Sequence, residues 1–175
     1  MNSSLELLYL IIFSGILAVG YSYLLSGQIL SASAGNEKMK EIAGAIQIGA
    51  KAYLNRQYKT IAIVGLIVLI IVTYFFNILV GIGYFIGAAL SGIAGYVGML
   101  ISVQANVRTA EASRKSLQTG LSIAFKSGAI TGLLVAGLAL LSIAIYYLIL
   151  INLSTPSRDI INALVALGFG ASLIS

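Results

Sequence analysis

The sequence predicts an all-α fold, a polytopic bundle of transmembrane helices with four complete spans and the start of a fifth. Three observations predict it. Only 9% of the 175 residues are charged and 59% are hydrophobic, whereas a soluble domain carries roughly a quarter charged residues. Several apolar runs reach the roughly twenty residues that a helix needs to cross a bilayer. Nine of the ten bases gather in two of the segments between those runs, the asymmetry that the positive-inside rule describes.

The first span covers 5–25. Glu6 stands near its start, no Lys or Arg precedes it, and no small-x-small cleavage site follows. It is therefore read as an uncleaved span and not as a signal peptide. After Asn36, a candidate N-cap, Met39, Ile42, Ile46 and Tyr53 recur at helical spacing. This predicts a cytoplasmic amphipathic helix over about 37–58, with Tyr53 and Tyr58 near headgroup level. Anionic lipid would attract its lysines, each by about 1 kcal/mol.

Spans two and three, at 60–76 and 78–103, are joined by almost nothing around Asn77 and form a tight helical hairpin. Span four covers 127–153. Pro156, the only proline, precedes the fifth segment at 160–175, where it breaks no helix. That segment stops at Ser175 inside an apolar run, which reads as an incomplete span in a fragment of something longer.

Lys38, Lys40, Lys51, Arg56 and Lys59 lie between spans one and two, and Arg108, Arg114, Lys115 and Lys126 between spans three and four. The opposite side holds only Arg158, beside Asp159. Both basic segments are therefore expected in the cytoplasm, with the N-terminus outside.

Small residues mark the packing surfaces. Gly83, Gly87, Ser91 and Gly95 fall four apart on one ridge of span three, with Ala88 and Gly92 on the adjacent row. Gly128, Gly132 and Ala136 repeat the device in span four, and Gly168 and Ser172 in span five. Such ridges let a neighbouring helix approach to backbone distance. They suit tight packing, and they also suit the sliding surfaces of a transporter.

Chemistry is nearly excluded. The sequence has no Cys and no His, so thiolate ligands and the commonest general base are missing. Glu6 and Asp159 fall at the outer surface, and Glu37, Glu41 and Glu111 in cytoplasmic segments. No ionisable residue stands mid-span to relay an ion, and neither a phosphate-binding loop nor an acidic Mg²⁺ cluster occurs. No catalytic, cofactor-binding or metal-binding residue is assigned, nucleic acid is not an expected partner, and residues 1–175 alone are expected to be inactive.

One polar stretch interrupts the apolar pattern, ISVQANVRTAEASRK over 101–115. Arg108 and Arg114 stand three residues either side of Glu111, and Lys115 four after it. A helical continuation would set them on one face as an ion-pair ladder, each pair worth a few tenths of a kcal/mol. Gln104 and Asn106 could bond exposed backbone or a neighbouring helix. Ala105, Ala110 and Ala112 keep one side of the turn small, which suggests contact with protein and not lipid.

The motif Ala105-Asn-Val-Arg-Thr-Ala110, the run Ile46-Gln-Ile-Gly-Ala-Lys-Ala-Tyr-Leu-Asn-Arg-Gln-Tyr58, the segment Gly92-Ile-Ala-Gly-Tyr-Val-Gly-Met99 and Gly168-Phe-Gly-Ala-Ser172 resemble the membrane-bound ion-translocating pyrophosphatases. A looser match runs from Gly120 to Gly132. The resemblance implies a homodimeric pump that hydrolyses inorganic pyrophosphate in a Mg²⁺ cage, in some members with K⁺. It moves H⁺ or Na⁺ outward across the lipid bilayer. In that family the catalytic and gating residues would lie beyond Ser175, so Asn106, Arg108 and Glu111 are expected to give structural support at the cytoplasmic end. Gln104 and Tyr53 depart from the family's usual Arg and Phe, which puts a phosphate-attracting role for Gln104 in doubt. The membrane implied is a prokaryotic plasma membrane, with an acidic organelle as the alternative. The rival reading is a small helical transporter or a scaffold subunit of a membrane complex. A transporter would show a buried charge or a broken helix near the midplane, and neither is present.

Overall fold

In a computed structural model that describes residues 2–173, the chain forms five helices. They are α1 (Asn2–Leu30), α2 (Glu37–Phe75), α3 (Ile78–Lys115), α4 (Leu117–Asn152) and α5 (Ser157–Ser172). The first four are long and apolar enough to cross a membrane. The last two residues of the expected fifth span, Ile174 and Ser175, lie outside the described residues.

The polar segments between spans are helical, as expected for the amphipathic stretch at 37–58. The amphipathic stretch and the second span form one continuous helix of 39 residues. At 1.5 Å per residue it is about 59 Å long, roughly twice the hydrocarbon thickness. Its polar N-terminal part therefore projects beyond the apolar part and does not lie flat. No proline interrupts it, and Lys, Glu, Gln and Ala are all good helix formers. For the same reason α3 runs on to Lys115, and a single residue, Ser116, separates it from α4.

Short polar caps end these helices at defined points. Asn36 Oδ1 accepts from the Met39 amide at 3.0 Å, and Ser116 Oγ accepts from Thr119 at 3.1 Å. Asn77 Oδ1 accepts from Val80 at 2.9 Å, in extended backbone just before α3. It closes the α2–α3 hairpin and satisfies an amide that lipid could not. Asn77→Ala is expected to destabilise the protein by about 1 kcal/mol, the usual cost of losing an N-cap; denaturation in mixed micelles would measure it.

α3 is the central helix and contacts α2, α4 and α5, while α1 packs mainly on α4. The closest approaches occur at glycine. A methyl group added at Gly83 or Gly87 would overlap the carbonyl oxygen of Ala163 or Leu167, and one at Gly170 that of Tyr84. α3 and α5 therefore meet backbone to backbone. α1 and α4 cross at Gly15 and Gly137, where each glycine's added Cβ would stand 3.0 Å from the other's carbonyl oxygen. With lipid as apolar as any side chain, close packing and interhelical hydrogen bonds hold such a bundle together. The Tyr146 hydroxyl adds one, donating to the Leu79 carbonyl.

Candidate functional site

Most of the charged side chains collect at one end of the bundle. There α1 ends, α2 begins, and α3 passes into α4. The last carbonyls of a helix have no partner within it, and the end of α1 holds no Lys or Arg of its own. Arg108 supplies the donors from α3. Its Nη2 donates to the Leu30 carbonyl at 2.9 Å and its Nε to the Ala32 carbonyl at 3.1 Å. Nη1 donates to the Gln104 carbonyl of its own helix at 2.7 Å. A planar guanidinium can serve three acceptors in this way, and its positive charge suits the negative end of the α1 dipole.

The four-residue ion ladder does not form. Arg108 is occupied with α1, so among the described residues Glu111 pairs with Arg114 alone, at 3.0 Å, and Lys115 is exposed. The Glu111 side chain is 17% exposed and faces Gly35, whose φ of +81° makes the turn into α2. A Cβ at Gly35 would stand 3.0 Å from Glu111 Oε2 and closer still to Met39 Sδ. Glycine is therefore needed there both for its backbone angle and for space. Arg108, Glu111 and Arg114 together hold the α1–α2 connection against α3.

Ala105 and Ala112 are buried, at 1% and 6% exposure. Ala110, grouped with them by sequence, is exposed because it falls on another face of the helix. Asn106 is also exposed, and Gln104 Nε2 donates to the Leu100 carbonyl within its own helix. Nearby, the Tyr96 hydroxyl donates to Asn55 Oδ1 at 3.1 Å, and the Tyr58 and Tyr96 rings meet edge to face at 5.3 Å. These contacts tie α2 to α3. On the outer surface of α2, the Lys40 ammonium beside Glu37 holds its carboxyl below the usual range, an exposed pair that adds little stability.

The small residues divide by position. Gly83 and Gly87 contact α5, whereas Ser91 and Gly95 line an open groove of about 360 Å³. Gly128 and Gly132 do not meet another helix: an added Cβ at either finds no described atom within 4 Å. Gly137 is the glycine of α4 that touches α1. Gly128 lies nine residues before it, about two and a half turns, and so faces the opposite way. Gly168 is likewise open, and Gly170 makes the α5 contact.

Among the described residues, no three His, Cys, Asp or Glu side chains converge. These residues do not fit a Mg²⁺ cage. The contacts of Arg108 and Glu111 join the end of α1 and the turn into α2 to α3.

Comparison with known proteins supplies the context. The model of the family described as inorganic H⁺ pyrophosphatase matches residues 16–175. A K⁺-insensitive pyrophosphate-energized proton pump of Methanosarcina mazei is 42% identical over 93% of this chain, which corresponds to 23% of that protein. A protein of Bacteroides thetaiotaomicron, assigned as a K⁺-stimulated pyrophosphate-energized sodium pump, is 38% identical over 95% of the chain and 24% of its own length. A K⁺-insensitive pyrophosphate-energized proton pump of Caldanaerobacter subterraneus is 38% identical over the whole chain, or 27% of its own length. The chain thus spans about a quarter of the length of the curated relatives it matches. Its apolar helices make it an integral membrane protein, and the match across residues 16–175 means that it belongs to the inorganic H⁺ pyrophosphatase family.

Proposed function

We propose that this chain is the N-terminal scaffold of a primary pump that couples pyrophosphate hydrolysis to outward movement of H⁺ or Na⁺. The observation that carries the reading is the family match over residues 16–175, with relatives named as proton and sodium pumps. Within the pump, α1–α5 form part of the helical frame, and the Arg108 cluster anchors its basic end. That end faces the cytoplasm, in keeping with the bias of its Lys and Arg residues, and its positive field favours approach of an anionic substrate. The enclosing membrane is a prokaryotic plasma membrane, and the pump works as a homodimer.

Mg²⁺, and K⁺ in a K⁺-dependent pump, would be held by residues outside 1–175, because the five acids here are dispersed. Bound Mg²⁺ would offset the charge of pyrophosphate and of the departing phosphate. The residues of this chain contribute rigidity and no ligand.

The test is Mg²⁺-dependent phosphate release from pyrophosphate. Membranes carrying the full-length protein are expected to release phosphate, and membranes carrying only residues 1–175 are not. Folded full-length protein without activity would remove the pyrophosphatase reading, and activity in the short chain would remove the scaffold reading.

A further inference from the structure

α2 packs chiefly on α3, and an open groove of about 480 Å³ runs between them. Tyr58, Ala62, Gly65 and Leu69 line it from α2, and Ala88 and Gly92 from α3. Small side chains on both walls leave the space open, and Leu66, Phe85 and Ile93 at its sides are exposed. Tyr58 to Leu69 is about 17 Å of helix, roughly half the hydrocarbon thickness. The groove is therefore about one leaflet deep.

The groove begins where α2 turns polar. Tyr58 and Tyr96 meet there edge to face, and the Tyr96 hydroxyl donates to Asn55. Tyrosines in such a place suit the headgroup level. Lys51, Asn55, Tyr58, Ala62 and Leu69 recur at helical spacing, so Lys51 stands on the groove face of α2. Lys59 precedes Ala62 by three residues and Leu66 by seven, and stands on that face as well. Cβ atoms lean toward a helix's N-terminus, so Lys59 leans out of the groove toward the polar end.

The charge at this end is uncompensated. Lys38 and Lys40 pair with Glu41 and Glu37, but no ion pair among the described residues involves Lys51, Arg56 or Lys59. All three are exposed, and no Asp or Glu occurs from 42 to 110.

We propose that the α2–α3 groove holds an acyl chain of an anionic phospholipid, whose phosphate sits at the Lys51–Lys59 edge. The apolar walls match a chain in length, and the unpaired cations match a phosphate in charge. A zwitterionic lipid would fit the groove but bring an ammonium to the same cations. A soluble phosphate would meet the charge and leave the apolar walls uncovered. The site needs only membrane-spanning helices, and it is more specific than general attraction of anionic lipid to a basic helix.

The experiment uses full-length protein in bilayers of equal phosphatidylglycerol and phosphatidylcholine, with p-benzoylphenylalanine at Leu66 or Ile93. Ile67, exposed on another face of α2, is the control. After irradiation, mass spectrometry identifies the adducts. Each cation near the surface is expected to favour the anionic lipid about fivefold. Phosphatidylglycerol adducts should therefore exceed phosphatidylcholine adducts by about tenfold or more at Leu66 and Ile93, and should not at Ile67. Lys51→Gln combined with Lys59→Gln should lower that ratio by about tenfold or more. Peptide adducts in place of lipid, equal labelling of the two lipids, the same preference at Ile67, or a ratio unchanged in the double variant would each overturn the proposal. No readout uses pyrophosphate turnover. An inactive protein with the expected adducts would sink the pump reading and leave the lipid site standing, and the converse also holds.

Discussion

Gly87→Ala is expected to destabilise the full-length protein by about 2 kcal/mol, and Gly87→Leu to abolish its folded yield. Two effects oppose each other in the alanine variant. Alanine favours a helix interior over glycine by about 1 kcal/mol. Its methyl group, however, would overlap the Leu167 carbonyl oxygen and stand 2.9 Å from the Ala171 amide nitrogen. Those atoms are backbone and cannot rotate away, so α5 must move bodily from α3. Overpacking of this kind costs about 3 kcal/mol at the upper end of the usual range, and it outweighs the gain in propensity. Gly132→Ala is the control, because its methyl group meets no described atom within 4 Å. Denaturation in mixed micelles and the monodisperse fraction after extraction would measure both variants. Equal stability of Gly87→Ala and wild type would contradict the backbone-to-backbone crossing.

Arg108→Ala is expected to cost about 2–3 kcal/mol, the scale of hydrogen bonds made by a charged donor. It leaves the Leu30 and Ala32 carbonyls without the donors that Arg108 provides, and it frees the α1–α2 connection from α3. Arg108 is only partly buried, so water recovers some of the loss, and the figure does not rise to that of a fully buried charge. Arg108→Lys should restore less than half, since an ammonium is a point charge and cannot span acceptors on two helices as a guanidinium does. Proteolysis should report the change directly, through faster cleavage within residues 31–36. A lysine variant as stable as wild type would show that charge alone, and not the fork, holds the connection.

Apolar run length and the distribution of Lys and Arg made the membrane-spanning bundle legible in the sequence. Helix ends were less so. The stretch 37–58 reads as an amphipathic helix, but the run of α3 to Lys115 and the start of α4 at Leu117 do not show, because hydropathy marks the membrane boundary and is silent on where hydrogen bonding stops. Asn36, read as a cap from the sequence, caps α2, and Asn77 and Ser116 cap the helices that follow them. The small-residue ridges stand out in the sequence, but only tertiary contact selects Gly83 and Gly87 over Gly128 and Gly132. A glycine facing a helix and a glycine facing open space look alike in one dimension. The role of Arg108 was hidden for the same reason. The ion partner expected for it, Glu111, lies within one helical turn, whereas its carbonyl partners at Leu30 and Ala32 lie more than seventy residues away. No local spacing rule points to them.

Pyrophosphate-driven ion uptake tests the central claim most directly. The full-length protein is reconstituted into sealed vesicles, and pyrophosphate with Mg²⁺ is added outside. Internal acidification or ²²Na⁺ accumulation is then followed with and without an ionophore. The account predicts uptake that starts on pyrophosphate addition, requires Mg²⁺ and collapses with the ionophore. Hydrolysis with neither H⁺ nor Na⁺ entering intact vesicles would contradict it, leaving a membrane pyrophosphatase whose helical frame transports neither ion.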